Sequence, residues 1–228
     1  MKRTIFIGVL MIAALSLGGC GDKSGEHSDD WREIVTATPT KAGPIPTIVP
    51  DEIADGKLEG EIRAAMSSGC VIMHNGSAIF GRDTWLAFYE KTQRREEASV
   101  RIVLFYTLER DGCTEEYYEA EKNNYPHLFA SEVRFDGEKY HVSSLHYDGS
   151  GFVLQNQQGY DEPDATWKYL MHYTGVPRQE TALFTSYDRY VLVNDDSVTW
   201  EDLQRGMFSS TLGDYIPFYE AYCELAWK

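Results

Sequence analysis

The sequence predicts an α+β fold. It predicts a single domain over residues 51–228, an antiparallel sheet with meander connections, two N-terminal helices and a short helix before the last strand. Three observations support this prediction. Apolar residues recur at helical spacing in two early segments. Alternating residues with Asp-Gly turns then fill the middle of the chain. A capped helical segment precedes one more alternating run, and helices separated from strands in this way are typical of α+β domains.

Three segments are predicted to be helical. The first is DEIADGKLEGEIRAAMSS (51–68), which has acidic residues in its first turn, where the helix dipole favours them. The second is TWLAFYEKTQRR (84–95), with Asp83 as the expected N-cap. The third is WEDLQRGMF (200–208), for which Thr199 and Asp202 predict a capping-box arrangement.

The strands of the first half are predicted from alternation and turn residues. CVIMHNG (70–76) predicts a short strand that ends at Asn75-Gly76. SVRIVLFYTLE (99–109) is mostly apolar on both faces, which is typical of a central strand. Asp136-Gly137 and Asp148-Gly149 mark turns, and the first is predicted to form a hairpin with two residues between its arms.

The second half adds three predicted strands. These are TWKYLMHYTG (166–175), DRYVLVNDD (188–196) and a final strand within PFYEAYCELAWK (217–228). In the final strand, alternation places five residues on one face: Tyr219, Ala221, Cys223, Leu225 and Trp227.

The first twenty residues have the pattern of an export signal. Lys2 and Arg3 precede a nearly continuous apolar run of 14 residues, Thr4 to Leu17. A membrane-spanning helix needs about 20 such residues, so residues 1–19 are predicted to be a signal peptide. Leu17-Gly18-Gly19-Cys20 resembles the lipobox of bacterial lipoproteins. The resemblance implies that the Cys20 thiol receives a diacylglyceryl group and that the chain is cleaved between Gly19 and Cys20.

Residues 20–50 are predicted to be a disordered tether that follows the lipid anchor. The segment is rich in Gly, Ser, Thr, Pro and charged residues, and it shows no sustained periodicity. Such a composition cannot bury enough apolar surface to offset the entropy of ordering. The tether would hold the globular domain away from the membrane surface.

The net charge excludes one class of partner. It is −15 for the whole chain, and removal of Lys2 and Arg3 with the signal peptide would make it −17. Nucleic-acid binding proteins present a basic surface, and this sequence has no basic stripe. We therefore expect no nucleic-acid partner and a membrane attachment that depends on the lipid alone.

Several segments resemble uncharacterised lipoproteins of Gram-positive, Firmicutes-type bacteria, which form a family of unknown function. The segments are SGCVIMHNG, DTWLAFYEKTQ, ASVRIVLFYTLE, YVLVNDDSVTWEDLQRGM and IPFYEAYCELAWK. The resemblance covers most of residues 51–228. It implies an extracytoplasmic location and transfers no catalytic residue to this chain.

The sequence contains none of the common catalytic or metal-binding motifs. HExxH, CxxC, a P-loop and a G-x-S-x-G elbow are all absent. The six histidines are scattered, and His141 and His146 are expected on opposite faces of one strand. The acidic runs at Glu115–Glu121 and at 161–164 are interpreted as solvated; the second could collect oxygen ligands but lacks the pattern of a calcium loop. We therefore predict no metal site, no cofactor and no catalytic residue.

Three cysteines follow Cys20. Cys70 and Cys223 lie among apolar residues, whereas Cys113 lies in the polar segment RDGCTEE. A disulfide is allowed outside the cytoplasm, and an exposed free thiol is reactive there. We therefore expect Cys113 to be bridged to Cys70 or to Cys223, and the sequence does not select between them.

These observations predict a lipid-anchored binding or accessory module on the extracytoplasmic face of the cell membrane. The 15 tyrosines are mostly expected to pack in the core, and a few of them could line a groove for a protein or glycan partner. Two alternatives stay open. One is a cell-envelope hydrolase with a carboxylate or histidine site, and the other is a structural or immunity-like protein that blocks a partner.

Overall fold

The fold is α+β, as predicted. The structure, a computed structural model, describes residues 58–110, 113–154, 165–177, 182–209 and 215–228. Its helices are α1 (Glu59–Ser67), α2 (Arg82–Gln93), α3 (Glu115–Glu121) and α4 (Trp200–Phe208). Its strands are β1 (Val71–His74), β2 (Ser77–Phe80), β3 (Ala98–Tyr106), β4 (His127–Phe135), β5 (Tyr140–Tyr147), β6 (Phe152–Leu154), β7 (Ala165–Trp167), β8 (Tyr169–Gly175), β9 (Phe184–Val193) and β10 (Tyr219–Trp227).

The described residues form two compact units. One lies within Leu108–Asn124 and contains α3, while the other contains every other helix and strand. We expected an acidic solvated run at α3 and predicted no helix there. The helix has no buried residue, so it lacks the apolar stripe that sequence patterns detect. Its N-terminus is capped by the Thr114 side chain, which accepts a hydrogen bond from the Tyr117 N–H at 3.3 Å.

The larger sheet, which we call sheet A, is mixed and not purely antiparallel as predicted. Its strand order is β2-β1-β3-β4-β5-β6, with β7 also paired to β5. β3 is central, as expected, but it runs parallel to β1. The cause is the connection: β1 and β2 form a two-residue hairpin at Asn75 and Gly76, both at positive φ, and α2 then returns the chain to the start of β3.

A second sheet, sheet B, contains three antiparallel strands in the order β10-β9-β8. The sequence predicted one continuous strand over 166–175, and this prediction is wrong. The chain leaves sheet A after β7 and enters sheet B at β8, with the break at Lys168. The Lys168 N–H donates to the Val193 carbonyl and to Asn194 Oδ1, both at 3.2 Å, which fixes the entry into sheet B.

Both Asp-Gly segments form hairpin turns, but the loops are longer than the two residues predicted for the first. Phe135 pairs with Tyr140, so four residues connect β4 to β5. The Asp136 carboxylate accepts hydrogen bonds from the backbone N–H groups of Glu138 and Lys139 at 2.9 and 2.8 Å. These side-chain hydrogen bonds stabilise the four-residue turn. They also hold the pKa of Asp136 well below its usual range.

A bulge changes the expected face of the last strand. The register of β10 against β9 shifts between Glu220 and Tyr222, so consecutive residues Ala221 and Tyr222 are both buried. Strict alternation had placed Tyr222 on the opposite face from Ala221. Trp227, which we expected on the same face as Ala221, is 52% exposed and lies beyond a second register shift.

The core is layered. α1 packs on one face of sheet A through Ile62 and Ala65, which belong to the same buried cluster as Val103 and Phe105. The other face of sheet A, α2 and one face of sheet B share a larger cluster that includes Trp85. α4 covers the remaining face of sheet B in a third cluster of residues: Val191, Val193, Leu203, Met171, Tyr173, Val198, Trp200, Ile216 and Phe218.

Of the two predicted helix N-caps, one is confirmed and one is wrong. At α4, Thr199 Oγ1 accepts from the Asp202 N–H and the Asp202 carboxylate accepts from the Thr199 N–H, which is the complete capping box. At α2, the N-cap is Gly81 and not Asp83, which lies in the first turn. Gly81 has φ +83°, and an added Cβ would lie 2.8 Å from the Cys70 carbonyl oxygen and the Val71 Cα, so the chain approaches β1 too closely for a side chain.

We predict that Gly81→Ala lowers the free energy of unfolding by about 2 kcal/mol or more, because the alanine would meet both positive φ and two backbone atoms. The measurement is urea unfolding at neutral pH. The control is Gly60→Ala in α1, where a Cβ meets nothing within 4 Å and stability should stay equal or rise by about 0.5 kcal/mol. Equal losses from both substitutions would contradict the prediction.

Candidate functional site

Titratable and aromatic side chains converge where α2 packs on sheet B. We call this group the α2–sheet B cluster. α2 contributes three residues at positions i, i+3 and i+7, which share one helix face. The members are Arg82, Trp85 and Tyr89 from α2, His172 from β8, Asp188 and Tyr190 from β9, and Tyr222 and Glu224 from β10.

The strand register arranges the sheet residues of this cluster in two rows. His172, Tyr190 and Tyr222 lie directly opposite one another across β8, β9 and β10. In the next row, Asp188 lies directly opposite Glu224. Two like charges in this position repel each other, so each carboxylate needs its own compensating partner.

Asp188 is compensated by His172. The Nε2–H of His172 donates to Asp188 Oδ1 at 2.6 Å, and both side chains are about a third exposed, at 35% each. The imidazole stacks on Tyr190 at 4.2 Å between ring centroids and 8° between planes, and Tyr89 approaches it edge-on at 6.1 Å. The His172 imidazole is therefore in contact with two tyrosine rings, Tyr190 stacked on it and Tyr89 at an angle to it.

Glu224 is compensated by two donors. Arg82 Nε donates to its Oε1 at 2.9 Å, and the Tyr222 hydroxyl donates to the same oxygen. The Glu224 side chain is 20% exposed, so both donors act in a partly desolvated setting. Tyr222 itself is buried, and its ring stacks on Trp85 at 4.9 Å with 2° between the planes.

The phenols of this cluster are strongly biased towards the protonated form. Burial raises the pKa of Tyr222 far above its usual range, and its hydrogen bond to Glu224 adds to that effect. Burial likewise raises the pKa of Tyr190, helped by the nearby Asp188 charge. Both phenols therefore stay protonated at neutral pH, and the Tyr222 hydroxyl is the one that donates to a carboxylate.

The chemistry open to the cluster is limited by these pairings. A carboxylate–histidine pair can orient a general base, and two neighbouring carboxylates can serve in glycoside hydrolysis. Both carboxylates, however, are already engaged within the protein: Glu224 accepts hydrogen bonds from Arg82 and Tyr222, and Asp188 accepts one from His172. The arrangement is better suited to holding α2 on sheet B than to proton transfer.

A second polar group lies on sheet B near α4. The Arg189 guanidinium pairs with the Glu220 carboxylate and lies over the Trp200 ring at 4.7 Å from its centroid. Burial raises the pKa of Glu220 even with Arg189 beside it, and burial also raises the pKa of the neighbouring Cys223 thiol. The thiol is therefore kept in its unreactive form.

The cysteines do not form the bridge that we expected. Cys70, Cys113 and Cys223 are all free thiols in the structure. Cys70 and Cys223 are completely buried in the apolar core, and burial raises the pKa of Cys70 as well. Cys113 belongs to the unit within Leu108–Asn124, where its thiol lies 3.4 Å from the Glu109 carbonyl oxygen.

The other predicted residues divide between described and undescribed parts of the chain. Gly19, Cys20 and the tether to residue 50 lie outside the described residues, as do the acidic residues at 161–164. The Nε2–H of His141 donates to Asp136 Oδ2 at 2.6 Å in the β4–β5 turn, which is a structural role. Within the described ranges, no three His, Cys, Asp or Glu side chains are arranged to hold a metal ion.

Sequence reasoning missed the pairing of His172 with Asp188. We described the six histidines as scattered and predicted no metal site or catalytic residue among them. The alternation was visible in both segments, but the register between them was not, because the β8–β9 connection is too long to define it. A tight turn at that point would have made the pair predictable.

Comparisons with known proteins add no relative. No protein-family model, no curated protein and no solved structure matches this chain. The resemblance to uncharacterised lipoproteins therefore stays a prediction. Among the described helices, none combines the length and apolar character that crossing a membrane requires.

We predict that Tyr222→Phe lowers stability at neutral pH by about 1–2 kcal/mol, because Glu224 loses a buried donor. It should also reduce the loss of stability in alkali. An unfolded phenol titrates near pH 10 and the folded one higher, so this group's contribution is complete below about pH 10 and is lost as the pH rises above it.

The measurement is urea unfolding between pH 7 and 11, with Tyr117→Phe as the control because Tyr117 is 43% exposed in α3. Tyr117→Phe should leave both the neutral stability and its alkaline decline unchanged. An unaltered pH profile for Tyr222→Phe would contradict the assignment.

Proposed function

We propose that this chain is a lipid-anchored protein on the extracytoplasmic face of the cell membrane, where it binds another molecule and does not transform it. The observation that carries the location is Leu17-Gly18-Gly19-Cys20 at the end of a short apolar run that begins after Lys2 and Arg3. The thiol would carry two acyl chains, which are enough for stable anchoring.

The geometry of the titratable groups supports binding over catalysis. In the α2–sheet B cluster, each carboxylate accepts hydrogen bonds from side chains of the protein itself. Outside the cluster, burial raises the pKa of the Cys70 and Cys223 thiols and favours their protonated forms. An enzyme site requires at least one such group directed towards a substrate with its reactive atom free. Hydrolysis is therefore the weaker of the two candidate functions.

The surface also supports binding. Several large apolar side chains are exposed in the larger unit, and isolated ones are ordinary whereas groups of them mark interaction sites. At one end of sheet B, Val176 follows β8, Leu183 precedes β9 and Trp227 ends β10, with exposures of 70%, 69% and 52%. The Trp227 ring contacts Phe184 at 6.5 Å, so this end of the sheet presents an apolar surface.

Mass spectrometry of the mature protein tests the location. We expect an N-terminal peptide that begins at Cys20 and carries a diacylglyceryl mass, and we expect the protein to sediment with membranes. Cys20→Ala should abolish the acyl mass and the membrane association, because the thiol is the acyl acceptor. Cys113→Ala, the matched control, should change neither. A mature chain that begins elsewhere, or a Cys20 without acyl mass, would refute the proposal.

A further inference from the structure

Within the described part of the chain, no strand lies beside the outer edge of β8. β8 is the end strand of sheet B, and among the described residues it pairs only with β9. The pairing runs from Tyr169 opposite Val193 to Gly175 opposite Tyr187 without a register shift, so the seven-residue strand is regular along its whole length. A regular end strand offers a row of backbone donors and acceptors to another extended chain.

β8 lacks the devices that usually protect such an edge. It contains no Lys, Arg, Asp, Glu or Pro, and it has no bulge. The other edge strands of the two sheets are short, covered or irregular. β6 and β7 contain three residues each, and β2 lies beside β10, where Ser77 Oγ accepts from the Leu225 N–H at 3.0 Å. β10 carries Glu220 and Glu224 and is interrupted by two register shifts.

A strand added beside β8 would lie next to a row of sheet B residues that contains two carboxylates. Thr174 of β8 is directly opposite Asp188, which is directly opposite Glu224. A residue paired with Thr174 from outside would extend this row. Adjacent strands are about 4.8 Å apart, so a lysine or arginine at that position can reach over the short Thr174 side chain to Asp188.

The charge of the whole chain favours the same occupant. At −15, the chain repels a second copy of itself and attracts basic segments. Thr174 is exposed, so the row is open to solvent at its β8 end. The partner is therefore expected to be a different protein that offers an extended, basic segment.

We propose that the outer edge of β8 binds an extended basic segment of a partner protein as a fourth strand of sheet B. Backbone hydrogen bonds to β8 provide affinity, and a cation in the row of Thr174, Asp188 and Glu224 provides selectivity. This inference rests on the proposed binding function and identifies the class of its partner.

The experiment uses the mature lipidated chain in nanodiscs and a fluorescent decapeptide of alternating threonine and valine with lysines at both ends. We expect saturable binding with Kd below about 1 mM by fluorescence anisotropy, and slower hydrogen exchange at the β8 amides. A peptide with glutamates at its ends, or with alternate amides N-methylated, should bind at least about tenfold more weakly.

The test variant is Thr174→Lys, which places a cation in the row and should weaken binding of the lysine-flanked peptide at least about tenfold. The matched control is Thr166→Lys on β7, an exposed threonine on a short edge strand of sheet A, which should bind as the wild type does. Thermal unfolding of both variants verifies that each is folded.

Four results would overturn the inference: no saturable peptide binding, equal weakening by both substitutions, concentration-dependent protection of β8 without peptide, and protection of β8 that disappears when residues 21–50 are deleted. The third result would assign the edge to a second copy, and the fourth to the chain's own tether. None of them affects the acyl mass at Cys20, so failure here is distinguishable from failure of the proposed location.

Discussion

The packing of Trp85 is the contact on which the larger unit depends. The indole is completely buried, stacks on Tyr222 at 4.9 Å and contacts Tyr190 edge-on at 5.2 Å. Its apolar cluster also contains Val71 and Ile102 of sheet A, so the cluster around this α2 side chain joins both sheets. Because its N–H has no hydrogen-bond partner among the described residues, Trp85 stabilises the fold through burial and ring stacking.

The position of Trp85 also determines where the polar groups meet. Arg82 and Tyr89 lie on the same helix face, one turn before and one turn after Trp85, so they reach the two rows of sheet B at Glu224 and His172. The opposed Asp188 and Glu224 carboxylates would destabilise the sheet without their donors, which are His172 for Asp188 and Arg82 with Tyr222 for Glu224. The helix packing thus brings Arg82 to Glu224, and among the described residues it leaves the outer edge of β8 open.

The sequence predicted those features that depend on neighbouring residues. The capping box at Thr199, the Asn75-Gly76 turn and the central β3 were predictable because local hydrogen bonds and alternation determine them. The parallel pairing of β1 with β3, the change of sheet at Lys168 and the bulge before Tyr222 were not. Each depends on contacts between distant segments. The α2–sheet B cluster was missed for the same reason, since His172 and Asp188 meet only through the register of β8 on β9.

Native-state hydrogen exchange in a Trp85→Leu variant tests most directly whether Trp85 joins the two sheets. The reporters are the amides of Val103 in β3 and Val191 in β9, because each of these strands is paired on both sides. If the two sheets share one core through Trp85, both amides should lose the same free energy of protection, about 2–4 kcal/mol. Loss of protection at Val191 with none at Val103 would show that sheet B opens separately and would contradict the account.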